Sequence, residues 1–454
     1  MAIDFRVYPP EREKTRIEGY VRYEKLFLGQ HRELYAARPG RYQLARYIAV
    51  NMPGMISRLC ADLLFGEQPD FTATEDATQE ALDDLVQRNN LHTLNYESAL
   101  ANSFRGDAVY KVRWGKRTPQ AELPEAIIEE VPPAIYFPEI DEDDVRRVRR
   151  VTLAWLKIDP ANPQLRYLRM EEHEPGVVRN RLLRFADRGA TQEEMPLTIF
   201  SAYEGLEPEV ATGLSVIPIF HIPNFVYGSR FWGISDYEGL ETLFEALNDR
   251  VTQCDDVLSK HVAPKLVVPP RFVDEEGKVK LGELEVVQLD PGEPAPTYVT
   301  WDAHLTAAMA HLDRLMDFIF IISETAPAAF GLDKYGVAES GRALRLRLLR
   351  TLAKVNRKRL YYDRALKAAL LCAQQLEVVH GGASYEPQEP VIGWADGLPE
   401  DMFELVQMEA QRLTAGNTSL ESSIRRLDGP DAVEAEMERI AEDLGQATTL
   451  TGQG

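Results

Sequence analysis

The stretch SDYEGLETLFEALNDRVTQCDDVLSKHV, residues 235–262, places apolar side chains at helical spacing over about six turns. Ser235 or Asp236 is suited to cap the start of this helix, because their side-chain oxygens accept hydrogen bonds from unpaired backbone N–H groups. Pro264 predicts that the helix ends near His261. At about 1.5 Å per residue, the stretch would form a rod of about 40 Å.

A second helix of the same kind follows after an insert. Its apolar face runs from Leu305 to Ile319. Residues 265–300 between the two helices are rich in proline and glycine, with β-prone pieces at Leu266–Val268 and Glu285–Leu289 and a turn at Asp274–Gly277. The pattern therefore predicts two long helices that flank a small β module, like a hairpin with a head.

A third long helix is predicted from about Arg342 to Val378, after a glycine-containing flexible loop at residues 323–341. Between Arg342 and Lys367 this helix carries ten cations and one acid, Asp363. Its basic face could bind a nucleic-acid backbone, pair with acids of a neighbouring subunit, or be a solvated surface. We favour pairing with neighbouring acids, because the protein as a whole is acidic.

The regions on either side of these helices mix both kinds of secondary structure. Before the first long helix, helical patterns cover Glu18–Phe65 with a break at Gly29–Gln30, Thr78–Asn89 and His92–Ser103. Short β-prone runs follow at Ala108–Trp114, Val151–Lys157 and Arg181–Phe185. After the third long helix come a strand-like piece at Pro390–Trp394, helices at Pro399–Leu413 and Ala432–Leu444, and a tail at Ala447–Gly454 that we expect to be disordered. The predicted class is α+β.

The net charge limits the kind of function. The chain has 51 Lys and Arg against 72 Asp and Glu, which gives a formal charge of −21. A protein that reads DNA sequence usually carries a basic face. An acidic wall could still let DNA slide, because it repels phosphates; the simpler interpretation is that the charge keeps the protein dispersed.

The cysteines and the apolar runs indicate an ordinary soluble interior. The three cysteines, Cys60, Cys254 and Cys372, lie far apart in apolar helical patterns, which favours core packing over disulfides or a zinc site. No apolar run reaches the roughly 18 residues of a membrane span, and the N-terminus lacks a secretory signal pattern. We therefore expect the chain to be made and assembled in the cytoplasm.

Motifs of common enzymes are absent from the sequence. It contains no phosphate-binding GxxxxGK[ST] loop, no GxGxxG after a strand, no HExxH and no GxSxG. The acidic tract Glu139–Asp144 could in principle bind a divalent cation, but a solvated loop leading into the basic tract Arg146–Arg150 is favoured. His304 and His311 would share a helix face without a third metal ligand. We expect no catalytic residues, no metal and no cofactor.

Several local stretches, in order, resemble the portal family of tailed bacteriophages, of the siphophage type. The stretches are Asn51–Pro69 with its LLFGEQP turn, Asn102–Tyr110, Gly233–Leu240 and Ser340–Leu344. They surround the predicted helix–module–helix hairpin, and the resemblance extends from Tyr20 to about Asp443.

The resemblance implies a portal fold with a mixed wing domain, long stem helices, a small β clip and a helical crown. The implied boundaries are 1–234 for the N-terminal part of the wing, 235–262 for stem helix 1, 263–301 for the clip, 302–323 for stem helix 2, 324–341 for the tunnel loop, 342–397 for the long wing helix with its return strand, and 398–454 for the crown and tail.

The implied function is that of a structural head–tail connector subunit. Such subunits form a ring, usually of twelve, at one capsid vertex, through which double-stranded DNA passes without sequence recognition during packaging and ejection. The implied partners are further copies of the chain, the terminase, capsid or scaffold proteins and connector proteins, and the location is the virion.

The same resemblance suggests site residues. Lys334, the one cation of the tunnel loop, and Tyr335 beside it would lie near DNA. The basic residues expected at subunit contacts are Arg345, Arg347, Arg350 and Arg357. Two alternatives remain open: a metal-dependent nuclease that uses the acidic tract, and an oligomeric scaffold protein that passes no DNA.

Overall fold

A computed structural model combines helices and sheets, which confirms the α+β class. The described residues are 3–35, 47–118, 123–159, 162–185, 191–262, 265–273, 279, 289–299, 305–332, 341–395, 402–429, 432–433 and 435–441. The chain divides into two compact units, one of residues 1–332 and 348–397, the other of residues 333–347 and 398–454. Among the described helices, none has the length and apolar character needed to cross a membrane.

The helices follow the predicted order. They are α1 Glu11–Phe27, α2 His31–Tyr35, α3 Met52–Phe65, α4 Asp76–Arg88, α5 Leu91–Arg105, α6 Glu241–Val262, α7 Leu305–Ile322, α8 Gly341–Gly381, α9 Met402–Thr414 and α10 Leu420–Leu427. Local chemistry sets their ends. In α3, Asn51 Oδ1 accepts a hydrogen bond from Gly54 N at 3.1 Å, Pro53 occupies the first turn, and Gly66 caps the end.

The strands form four sheets in the described part of the chain. They are β1 Asp70–Thr72, β2 Asp107–Gly115, β3 Glu125–Glu130, β4 Tyr136–Ile140, β5 Val148–Ile158, β6 Arg166–Glu174, β7 Val177–Phe185, β8 Thr191–Glu194, β9 Glu209–Ala211, β10 Ile219–Pro223, β11 Lys265–Val267, β12 Thr297–Val299 and β13 Val391–Gly393. The largest sheet has the order β4-β5-β6-β7-β8, with β9 also paired to β7. The others are β10-β2-β3, β1-β13 and β11-β12.

The predicted start of the first long helix is wrong. The helix α6 begins at Glu241, whereas residues 236–240 form turns. Gly239 has a φ of +82°, a left-handed conformation that interrupts a right-handed helix. Neither Ser235 nor Asp236 caps α6: the Ser235 hydroxyl accepts a hydrogen bond from Tyr237 N at 3.0 Å, and the Asp236 side chain is directed into the interior.

The predicted hairpin is present in its main parts. Buried side chains from the start of α6, such as Phe244, lie in one cluster with Ile319 and Phe320 from the end of α7. The two helices therefore run in opposite directions, and β11 and β12 pair antiparallel in the insert that joins them. The predicted turn at Asp274–Gly277 and most of the predicted strand at Glu285–Leu289 lie outside the described residues.

The core of the first unit has a helical part and a sheet part. The helical cluster joins α1, α3, α5, α6 and α7 around Tyr23, Ile56, Phe104, Tyr237 and Ile319. A second cluster, with Val109, Tyr136, Val151 and Ile219, packs the three-stranded sheet against the six-stranded one. All three cysteines are buried and free, which confirms their predicted place in the core.

The second unit contains a helix that the sequence pattern did not reveal. Besides α9, it contains α10, whose Ser419 cap accepts a hydrogen bond from Ser422 N at 3.1 Å. Glu409 of α9 is fully buried and pairs with Arg426 of α10 at 2.6 Å. A helix of eight residues is too short for its apolar spacing to stand out. Residues 435–441 are helical, within the predicted Ala432–Leu444, and the expected disordered tail lies outside the described residues.

Candidate functional site

The segment that leads into α6 crosses the end of α5 at very short range. Gly233 N donates a hydrogen bond to Asp107 Oδ1 at 2.8 Å, and Ser235 Oγ donates to Phe104 O at 2.7 Å. A Cβ atom on Gly233 would lie 1.9 Å from Gly106 O, so only glycine fits at this crossing. Two of the stretches that carry the sequence resemblance are therefore parts of one local structure.

A third such stretch, in α3, joins the crossing through buried hydroxyl groups. Tyr237 Oη donates to Pro53 O at 2.8 Å and lies 2.6 Å from Ser57 Oγ. Ser57 Oγ is in turn 2.9 Å from Ser103 Oγ of α5. These side chains are almost completely buried, so each hydroxyl group needs a partner inside the protein.

The hydroxyl groups lead to a buried ion cluster that we call the ionic junction: Asp236, Asn224, Lys354 and Lys358. Lys354 Nζ lies 3.1 Å from Asp236 Oδ1, and Lys358 Nζ lies 2.7 Å from Asp236 Oδ2. Asn224 donates to Asp236 Oδ1 at 3.1 Å and accepts from Lys358. Ser103 Oγ completes the set by donating to Asp236 Oδ2 at 2.6 Å. The junction joins the approach to α6 with the middle of α8.

The charges of the junction stabilise one another. Burial raises the pKa of the Asp236 carboxyl, but the ammonium groups of Lys354 and Lys358 outweigh it and hold that pKa well below its usual range. For Lys354, burial lowers the pKa, and the charge of Asp236 more than reverses the effect. Both groups therefore stay ionised at neutral pH, and removal of the Asp236 carboxylate would leave two buried ammonium groups without their counterion.

The end of α7 is fastened to the same helix by a second charged group. Glu324 follows α7 with a φ of +56°, in the left-handed position that usually belongs to glycine. Its carboxylate pairs with Arg357 and, at 3.3 Å, with Arg350, both on α8. Thr351 Oγ1 also donates to Glu324 O at 3.1 Å. We call Glu324, Arg350 and Arg357 the arginine clamp.

The junction and the clamp face one cavity of about 470 Å³. Asp236, Lys354 and Lys358 line one part of it, and Glu324 and Arg357 line another. Lys354 links the two, because its ammonium group also donates to Ser323 O at 2.9 Å. The ends of both hairpin helices are thus held on α8 by charged contacts around a single cavity.

The structure shows where some of the predicted site residues lie, and their contacts with DNA and with neighbouring subunits stay predictions. Arg350 and Arg357 form salt bridges with Glu324 of their own chain, so a contact with a neighbouring subunit would be additional to this pairing. Arg345 and Arg347 lie on the part of α8 that belongs to the second unit. Lys334 and Tyr335 lie outside the described residues.

The acidic tract departs from the predicted solvated loop at its first three positions, because Glu139 and Ile140 belong to β4 and Asp141 is buried. Asp141 has a side chain only 7% exposed and pairs with Arg149 at 2.9 Å, so it is part of a turn between β4 and β5. Within the described residues, no three His, Cys, Asp or Glu side chains are grouped as metal ligands. His304 lies outside those residues.

Sequence reasoning missed the main residues of the junction. Asp236 was assigned only a possible capping role, while Lys354 and Lys358 were grouped with the basic surface. The available signal was the spacing of the two lysines, four residues apart and beside the apolar positions Leu348 and Val355. Lysines in that register fall next to the buried face of a helix and so require an internal anion.

One comparison with known proteins bears on this arrangement. Residues 183–449, more than half of the chain, match the family model described as phage portal protein, SPP1 Gp6-like. The matched range contains α6, the β11–β12 pair, α7, α8 and the whole ionic junction. No curated protein matches the chain.

Proposed function

Because the chain belongs to the phage portal protein family, SPP1 Gp6-like, we propose that it is the subunit of a ring-shaped channel for double-stranded DNA at a capsid vertex. The ring, of about twelve subunits by the usual family pattern, would serve DNA packaging and later ejection. The role is structural: the protein binds partners and guides DNA, and it catalyses no reaction.

The observation that carries this proposal is the hairpin of α6 and α7 within the matched range. Even without the buried Glu245, both helices carry more acids than bases: α6 has Glu241, Asp249, Asp255 and Asp256 against Arg250 and Lys260, and α7 has Asp313 and Asp317 against Arg314. Repeated around a ring, such helices would form an acidic wall. Such a wall repels phosphates, so DNA can slide without being held.

We propose the following division of the chain. The N-terminal part of the wing is 1–234, stem helix 1 is 235–262, the clip is 263–301, stem helix 2 is 302–323, the tunnel loop is 324–341, the rest of the wing is 342–397, and the crown with its tail is 398–454. In this division the ionic junction and the arginine clamp lie where both stem helices meet the wing. They would keep the stem rigid against the wing while DNA moves.

We also propose contacts with partners. The clip would meet the terminase during packaging and connector proteins afterwards, and the crown would face the capsid interior. Lys334 and Tyr335 would form a belt near DNA in the tunnel loop. Arg345, Arg347, Arg350 and Arg357 would contact acids of the next subunit; the Arg350 side chain is 74% exposed, so it can reach a second carboxylate besides Glu324.

Negative-stain electron microscopy of the purified chain tests the channel. We expect rings with an axial hole and a narrower stem. Particles without a hole would favour a scaffold protein that passes no DNA, and a chain that stays monomeric at all concentrations would contradict the ring. As a parallel test, cleavage of DNA in the presence of magnesium would favour the nuclease alternative.

A further inference from the structure

A groove of about 550 Å³ opens between α8 and the sheet part of the first unit. Its walls include the rings of Phe231 and Tyr361 and the side chain of Leu360, which is 71% exposed. The Phe231 ring is stacked on His221 with 4.6 Å between ring centroids. An apolar surface of this kind is suited to contact with another protein segment.

Three arginines surround the apolar surface, and we call the whole the arginine groove. Arg146 comes from the turn between β4 and β5, Arg230 from the segment after β10, and Arg364 from α8. Arg146 and Arg364 have no carboxylate partner in the described part of the chain. The nearest carboxylate to Arg230, that of Glu238, is 4.0 Å away. The groove therefore has unused positive charge in a protein whose net charge is −21.

Exposed Asp and Glu residues are concentrated on another surface of the same unit, which we call the acidic side. Its exposed carboxylates, none of them paired with a cation in the described residues, are Asp70, Glu75, Asp76, Glu80, Asp83, Asp84, Glu386 and Glu389. They lie on β1, on and just before α4, and on the segment that leads to β13, and the β1–β13 sheet also exposes Val391, at 64%, opposite Thr72. This side thus presents an exposed apolar residue among carboxylates.

The two surfaces lie on opposite sides of α8. Glu377 pairs with Arg88 of α4 at 2.6 Å, so it points to the acidic side, whereas Ala368 lines the arginine groove. Nine residues separate the two, which is two and a half helical turns and places them on opposite faces. Asp363 lies on the same face of α8 as Glu377, because it accepts a hydrogen bond at 3.1 Å from Trp394 Nε1, next to β13.

Resting on the proposed ring, we infer that the arginine groove of one subunit receives the acidic side of the next copy of this chain. Closed rings need two different surfaces that fit each other and lie on opposite sides of the subunit. Here both surfaces expose apolar side chains, one beside arginines and the other beside carboxylates. Arginine and carboxylate form strong, oriented pairs once water is excluded from between them.

Two variants with reversed charge test this contact in the full chain. The groove variant carries Arg146→Glu and Arg364→Glu, and the acidic-side variant carries Glu75→Arg and Glu389→Arg. We expect each variant alone to give at least about a tenfold smaller fraction of rings than wild type, because like charges would face each other across every contact. Mass photometry at one protein and salt concentration measures that fraction.

Mixing the two variants gives the sharper result. In an alternating ring each contact joins either two unchanged or two reversed surfaces, so attraction returns and rings should form again. A matched control carries Arg166→Glu and Arg184→Glu, two exposed residues of β6 and β7 without a carboxylate partner in the described residues, and should assemble like wild type. Circular dichroism of each monomer verifies its fold.

The outcomes separate this inference from the proposed function. Normal ring yield from either reversed variant, or folded variants whose mixture forms no rings, would overturn the groove assignment and leave the channel standing. A wild-type chain that forms no rings would overturn the channel itself. Low yield from each variant with recovery on mixing would establish both.

Discussion

Asp236 is the residue on which the ionic junction depends, because its carboxylate is the shared partner of two buried ammonium groups. We expect Asp236→Asn to lower the free energy of unfolding by about 3–5 kcal/mol, the usual cost of leaving buried charge unpaired. Urea denaturation of the monomer measures this. Glu238→Gln is the control: Glu238 faces the same cavity but is 46% exposed, so its effect should stay within about 0.5 kcal/mol. A loss below about 1 kcal/mol for Asp236→Asn would show that water already compensates the lysines.

Glu324 combines an unfavourable backbone conformation with a favourable side chain. Glu324→Ala removes the carboxylate from the arginine clamp but keeps a Cβ atom on a residue with a φ of +56°. Glu324→Gly removes the carboxylate and the Cβ atom. We expect the glycine variant to be more stable than the alanine variant by about 1 kcal/mol, because only glycine adopts this conformation without a steric penalty. Thermal unfolding of the two variants side by side isolates that backbone effect. Equal stability would mean that the turn relaxes when the clamp is lost.

Glu130 of β3 gives the protein a predicted response to pH. Burial raises the pKa of this carboxyl to about 7, the nearby Arg105 opposes the shift, and one carboxyl oxygen has no hydrogen-bond partner. Since the folded pKa is above the usual glutamate pKa of about 4.5, the protonated form favours folding, and stability falls as the pH rises from that usual pKa through about 7. Glu130→Gln should therefore match wild type near pH 5 and exceed it by about 1–3 kcal/mol near pH 8. An advantage that is the same at both pH values would contradict the assignment.

Among whole elements, α1 and the segment before α6 should respond in opposite ways to the same change from glycine to alanine. At Gly233 a new Cβ would meet Gly106 O at 1.9 Å, so Gly233→Ala should cost at least about 3 kcal/mol. At Gly19, inside α1, no atom outside the adjoining residues and helix backbone lies within 4 Å of that Cβ, so Gly19→Ala should stabilise the protein by up to about 1 kcal/mol. Differential scanning calorimetry compares the two. A loss below about 1 kcal/mol for Gly233→Ala would mean that the two backbone segments can move apart at this crossing.

The elements also show how far sequence reasoning extends. Long periodic helices such as α7 and α8 could be predicted, because their apolar spacing and the breakers at their ends are local features. The start of α6 could not be predicted in this way. By local rules Asp236 is an adequate helix cap, but its carboxylate instead pairs with lysines more than a hundred residues away. Pairings between distant charges leave no periodic signal, so the main contacts of the candidate site could be found only once the chain was folded.

For the whole molecule, the proposed DNA passage leads to a prediction about Lys334. In a ring this residue would repeat as a belt of weak positive charge beside an acidic wall, and it would steady DNA through screened attraction. In a packaging system we expect Lys334→Glu and Lys334→Ala to form rings. DNA retention should fall more with Glu than with Ala, because Glu adds repulsion as well as removing attraction. Capsids filled normally by the Glu variant would remove Lys334 from the mechanism.

The ionic junction can form only late in the synthesis of the chain. Asp236 pairs with Ser103, 133 positions earlier, and with Lys358, 122 positions later. A ribosome adds both hairpin helices and the two largest sheets before it adds Lys354 and Lys358, so until then Asp236 lacks both of the cations with which it pairs in the interior. Contacts between such distant positions form late in folding. A chain terminated before Lys354 would thus lack the buried contacts that hold its hairpin against α8, and it would not have the finished shape that the proposed ring requires.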